Sequence, residues 1–187
     1  EIKNAISYLR IIFNNNDNPS FERSISNPTR GVGEKTLAKI RNAAKQYNIS
    51  YIKASAKLID EGKISGRGGS GLKDYLEFIA GCKGFIEENS LSDLMELIIK
   101  ETGLYAYHAK EAGEKGKTRT ENLEELITAT KNFEQSIKDE RTNIEIAESY
   151  LDIISLDSGD RQASEHDDAA QLMTMHSAKG LEFKLVL

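Results

Sequence analysis

Two glycines flank Val32 in the stretch Thr29, Arg30, Gly31, Val32, Gly33, Glu34, Lys35, Thr36, just before a good helical pattern. A glycine turn entering a helix leaves backbone N–H groups open near the positive end of the helix dipole. Without Cβ atoms, Gly31 and Gly33 let a flat, negative surface come close to the main chain. Arg30 and Lys35 add positive charge, and Thr36 adds a hydroxyl donor. This set suits contact with a phosphate backbone, which positions a nucleic acid without reading its sequence. The same residues also suit a tight helix–helix connection whose glycines only satisfy φ > 0.

Two further stretches repeat the theme. Arg67, Gly68 and Ser70 lie in "GRGGSG" at 66–71, again followed by a helical pattern. Its bland reading is a flexible surface loop. Lys115, Lys117 and Arg119 lie in "KEAGEKGKTR", where a solvated charge run is the alternative. If the fold brings the three stretches to one face, they make a surface that tracks a backbone on an otherwise acidic body.

Enzyme chemistry has little support. His108, His166 and His176 are widely spaced and Cys82 stands alone, so no metal-ligand spacing is present. No nucleophile elbow and no GxxxxGK[ST] phosphate loop occur, so this chain alone should not hydrolyse a nucleotide. Cys82 follows an apolar helical face and reads as packing. Tyr105 and Tyr107 could stack on a base or belong to a core. With no tryptophan, a stacking platform for single strands is unattractive.

The elements that must position these residues are helical. The chain has 187 residues, 39% hydrophobic and 29% charged, with a formal net charge of −5. That balance suits a soluble globular protein, argues against a generic nucleic-acid coat, and leaves room for a local basic surface. One cysteine cannot form an internal disulfide, which fits a reducing, cytoplasmic setting. No apolar run approaches a membrane span. Ile2, Ile6, Leu9, Ile12 and Phe13 predict a first helix, ending in "NNNDNP". Ser20 should cap a short helix that Asn27-Pro28 ends. Leu37, Ile40, Ala44 and Tyr47 should line the next. Ser50 should cap another, with Ile52, Ala56 and Ile59 inward. After a glycine-rich break, Leu72, Tyr75, Leu76 and Ile79 resume the period. Ser90 should start a helix carrying Leu94, Leu97 and Ile98, stopped near Gly103. Thr118 and Glu121 have capping-box spacing ahead of Leu123, Leu126, Ile127, Thr130 and Phe133. A last helix spans about 144–154, followed by a linker by composition. Only "AQLMTMHSAKGLEFKLVL" reads as strand, glycine turn and second apolar run. Both ends read as cut, so the chain is expected to be a piece of a larger protein: a mainly α body with a strand–turn remnant of an α/β domain.

Residues 172–183, "LMTMHSAKGLEF", resemble the fifth motif of the UvrD/PcrA/Rep group of superfamily 1 DNA helicases. "EIKNAISYLR", "FERSISNPTRGVGEKTL" and "GEKGKTRTENLEELITATKNF" resemble segments of that group in the same order. The resemblance implies that 1–170 is the helical accessory 2B domain with helix–loop–helix elements, its linker at about 155–170. It implies that 171–187 is the truncated start of the RecA-like 2A domain. It further implies an ATP-dependent 3′-to-5′ helicase of DNA repair or replication as parent, using ATP and magnesium. Here the piece itself would bind duplex DNA at the single-strand/double-strand junction and regulate the motor, without catalysis and without a metal or cofactor of its own. In the family the stretch matching Thr29 to Thr36 contacts duplex backbone. His176 would face single-stranded DNA, and Lys179, Gly180 and Glu182 would lie toward the nucleotide in the intact parent. Two alternatives stay open: a docking module for repair or transcription proteins with weak DNA affinity, and a purely structural helical spacer.

Overall fold

Apolar side chains recur every three or four residues along most of the chain, and they fold it into helices joined by short turns. The computed structural model describes residues 1–138 and 140–157. The helices are α1 (Ile2–Phe13), α2 (Asn18–Ser26), α3 (Glu34–Tyr47), α4 (Tyr51–Asp60), α5 (Gly66–Glu88), α6 (Leu91–Glu101), α7 (Leu104–Ala109), α8 (Glu114–Ser136) and α9 (Asn143–Asp157). No strand occurs among the described residues. The expected strand–turn at 171–187, and the boundary at 170/171, lie outside them. The chain divides into a unit of Glu1–Leu151 and a second of Asp152–Leu187, of which only 152–157 are described.

In the first unit α1 is central. It packs on α2, α5, α6 and α8, and Ala5, Tyr8, Leu9, Ile11 and Ile12 are completely buried. Each large apolar side chain so buried contributes about 1.5–3 kcal/mol. Phe21 of α2 meets Tyr75 of α5 edge-on, centroids 5.5 Å apart, and meets Tyr51 of α4 at 5.9 Å. Around α6, Leu91, Leu94, Met95, Ile98 and Ile99 fill the space toward α8. Tyr150 of α9 closes over α8, its hydroxyl bonded to Thr130 at 3.1 Å and its ring against Phe133. Cys82 is buried, and burial pushes its thiol up to about 12. Packing is therefore its role.

Several helix starts differ from the sequence reading. Asp17, not Ser20, caps α2: its carboxylate accepts from the Ser20 amide at 2.9 Å. The carboxylate reaches that amide from the preceding residue, with Pro19 in the first turn, so Ser20 lies inside the helix. The stretch at 66–71 is not a break but the first turns of α5. Residues 114–119 likewise belong to α8, capped by the Gly113 turn, so Thr118 is interior. Tyr47 is 42% exposed. In α4 the buried residues are Ala54, Ser55 and Leu58 rather than Ile52, Ala56 and Ile59. Apolar residues at 51, 52, 54, 56, 58 and 59 outline overlapping faces, and packing on α3 and α5 chooses between them.

Glycines in α5 divide by what surrounds them. A Cβ at Gly71 would stand 2.1 Å from the Arg30 carbonyl oxygen, whereas at Gly81 and Gly84 it would meet nothing within 4 Å. The same substitution should therefore change sign along one helix. Gly81→Ala and Gly84→Ala are each expected to raise stability by ~0.5–1 kcal/mol. Gly71→Ala is expected to lower it by ~1–3 kcal/mol through overpacking. Urea denaturation of the three variants against the parent sequence checks both directions.

Candidate nucleic-acid interface

The turn between α2 and α3 is pinned from inside. Arg30 points inward, where Nη1 donates to Pro28 O at 2.9 Å and Ser24 O at 3.3 Å, and Nη2 donates to Thr102 O at 3.0 Å. Its guanidinium also stacks near two tyrosine rings, 5.4 Å from Tyr8 and 5.7 Å from Tyr75. The Tyr8 hydroxyl donates to Ser24 O at 2.6 Å, and the Ser24 and Tyr75 hydroxyls share a bond of 2.7 Å. Burial raises the Tyr8 hydroxyl to about 12 against the pull of the nearby Arg30 charge, so it stays a neutral donor. Burial raises Tyr75 as well. Val32, 8% exposed, is the apolar anchor of the same turn. Arg30 and Val32 were expected at the DNA; their side chains instead hold the loop that presents their neighbours.

Those neighbours are open to solvent. Thr29, Gly31, Gly33 and Lys35 are exposed and Thr36 is half-buried. Gly31 has φ +75, and a Cβ there would press on the Arg67 side chain at 3.0 Å. Nothing stands within 4 Å of a Cβ placed on Gly33. The start of α5 lies directly against this turn: a Cβ on Gly68 would reach Gly31 O at 2.9 Å and come within 3.9 Å of Thr36 Oγ1. Glycine at 68 and 71 thus allows two main-chain segments to touch, bringing exposed Arg67 beside Gly31, with Ser70 exposed on the same first turns of α5. Gly71 was missed as a contributor. Its signal was the close spacing of glycines ahead of Leu72, which marks backbone contact as readily as flexibility.

Helix starts differ in how they are closed, and α1 and α7, like the starts at the basic stretches, have no side-chain cap. α2, α4 and α6 begin with side-chain caps from Asp17, Ser50 and Ser90. On α6, Glu134 of α8 adds its carboxylate, accepting from Leu91 N at 2.5 Å and Ser92 N at 3.2 Å. The helices after the three basic stretches, α3, α5 and α8, begin without a side-chain cap. Their first amides remain donors for an outside acceptor. The one acid in the first turn of α3, Glu34, is drawn toward Arg41 at 2.5 Å. Arg41 also grips Glu22 through Nε and Nη2, at 2.5 and 2.7 Å.

The third basic stretch sits elsewhere. It follows the far end of α7, whereas Arg30 reaches the residues preceding α7. Gly116 is buried against Glu111 O and His108 O. Arg119 is engaged with Glu111 at 2.6 Å and Glu1 at 3.7 Å. Glu111 also meets His108 Nδ1 at 2.7 Å. That contact first, and Arg119 second, hold the Glu111 carboxyl below its usual range. Lys115 and Lys117 are exposed, and Lys117 lies 3.6 Å from Glu121. Tyr105 and Tyr107 are surface residues, with Tyr105 donating to Glu124 at 2.9 Å. His176, Lys179, Gly180 and Glu182 lie outside the described residues.

A helical body with two glycine-rich helix starts pressed together matches a known class. The model of the UvrD-like helicase C-terminal domain covers residues 1–65 and 74–187, and the chain belongs to that family. DNA helicase II of Escherichia coli (strain K12) is 41% identical over 186 residues, covering 100% of this chain and 26% of that protein. DNA helicase II of Haemophilus influenzae is 40% identical over 187 residues, covering 100% and 25%. The ATP-dependent DNA helicase PcrA of Bacillus subtilis is 32% identical over 188 residues, again 100% and 25%. The chain thus spans about a quarter of the length of these relatives.

The inward Arg30 makes a clear prediction. Arg30→Ala removes three hydrogen bonds from a charged donor and two ring contacts. Stability should fall by ~2–3 kcal/mol. Arg30→Lys should recover less than half of this, because an ammonium cannot span the three carbonyls as the planar guanidinium does. Thermal and urea melts of both variants check it.

Proposed function

We propose that this chain is the duplex-docking and regulatory domain of an ATP-dependent 3′-to-5′ DNA helicase. The carrying observation is the contact of Gly31 with the start of α5. It sets Gly31 against Arg67 and Gly68, and Thr36 of α3 near Gly68, so the heads of α3 and α5 adjoin. Two helix starts without side-chain caps then aim amides and two cations at one sugar–phosphate rail. Docking of this kind fixes a duplex in place without preferring a sequence. At the junction of paired and unpaired strands it would hold the duplex ahead of the motor, and turning the whole domain would regulate unwinding. Lys115 and Lys117 would make a separate, outer contact.

Motor chemistry would come from the rest of such a protein. Among the described residues no group of three His, Cys, Asp or Glu side chains could hold a metal, and the sequence contains no phosphate loop. No catalytic step is assigned to these residues. No helix among the described residues is long and apolar enough to cross a membrane.

Duplex binding measured across a salt series tests the docking surface. Lys35→Ala and Arg67→Ala should each flatten log K against log salt by about one unit and weaken all sequences alike. Arg30→Ala, compared where it remains folded, should leave the slope unchanged. Unaltered slopes for Lys35→Ala and Arg67→Ala would overturn the proposal. A second expectation is that the purified chain turns over no ATP, with or without DNA. Turnover that persists after removal of contaminating enzymes would contradict the absence of motor groups.

A further inference from the structure

Past its glycine entrance, α3 carries a polar stripe that runs on from the docking surface at Lys35. Lys35, Lys39, Asn42 and Gln46 recur at intervals of four, three and four residues, so they share one face within an arc of about 60°. Lys39, Asn42 and Gln46 line an open groove of about 450 Å³ together with Tyr47, Leu58 and Lys63. Its two sides are tied: Lys39 Nζ donates to Lys63 O at 2.9 Å. Around it, Lys57 and Lys63 share a single carboxylate, Glu61, at 2.7 Å each. These two bonds hold Glu61 down to about 2. Three cations therefore face one anion. Lys57 also lies over the Tyr47 ring at 4.7 Å and orients it.

The groove offers ammonium and amide donors at its polar positions and apolar surface at Leu58 and Tyr47. That pairing suits a deoxyribose–phosphate unit, whose oxygens take the donors while its sugar covers the apolar part. We propose that the groove is a second backbone-binding stretch for DNA, in which the strand that meets Gly33 and Lys35 continues along α3 to Lys39 and Lys63. The rise from Lys35 to Gln46 is about 16 Å. At 3.4 Å of axis per nucleotide on one strand, that length spans about five phosphates. Lys63 stands four residues before Arg67, so the cations of the α4–α5 turn and those of α3 flank a common path. The inference rests on the docking reading and extends its footprint.

The test is a salt series of duplex binding by the 187-residue chain carrying Lys39→Ala with Lys63→Ala. Lys35→Ala serves as the reference. The double variant is expected to flatten the slope by about two units, equally for unrelated sequences. A Lys39→Gln, Lys63→Gln pair, which keeps longer side chains over the groove, should do the same if the alanine pair melts early. Should Lys35→Ala flatten the slope while both double variants leave it unchanged, the groove proposal fails and the docking surface stands. Should none of them flatten it, both fail. Loss of an acidic peptide's binding with duplex slopes intact would likewise overturn the proposal and assign the groove to a protein partner.

Discussion

The bonds of Arg30 organise this domain. One guanidinium joins the end of α2, the cis Asn27–Pro28 turn and the last turn of α6, while lying against rings from α1 and α5. A planar donor with five N–H groups is the one side chain able to meet three carbonyls and two aromatic faces together. Because this charge is spent inside, the loop above it has a fixed shape. That shape allows glycines at 31, 68 and 71 to bring two backbones into contact. Exposed donors at the surface depend on a half-buried cation beneath them.

The domain treats its helix ends unequally. Side chains of Asp17, Ser50, Ser90 and Glu134 close the starts of α2, α4 and α6, whereas the starts of α1 and α7 have no such cap. Where the basic stretches lead into α3 and α5, no cap is provided. Capping contributes about 1 kcal/mol per helix, so leaving two starts open gives up stability at the place where an anion would restore it. On the proposed reading, a chain with net charge −5 can still present a local basic surface. Its acids are tied into pairs such as Glu22 and Glu34 with Arg41, while Lys35 and Arg67 point outward.

Much of this was legible in the sequence. Period-3.6 spacing located α1, α3, α6 and α8, and the Ser90 start of α6, because their apolar residues form single narrow stripes. It located α4 and its Ser50 cap but misjudged the buried face, because the apolar residues there outline more than one. It read 66–71 as a break because glycine is a poor helix former; only the proximity of the Arg30 and Gly31 carbonyls shows why glycine is needed there. Gly33, Lys35 and Arg67 were singled out as candidates from composition and order alone, and the structure leaves them exposed. The inward course of Arg30 was not, since an arginine beside glycines looks the same whether it faces a phosphate or a carbonyl. The groove was missed because Lys63 and Lys39 are 24 residues apart and meet only through tertiary packing.

The placement of α1 has a mechanical consequence. Glu1 is bonded to Asn122 and lies near Arg119, both on α8, and the helix that follows touches α2, α5 and α6 as well. Separating α1 from the rest would have to break its contacts with four helices together, so this helix is held with the core of its unit and does not unfold apart from it.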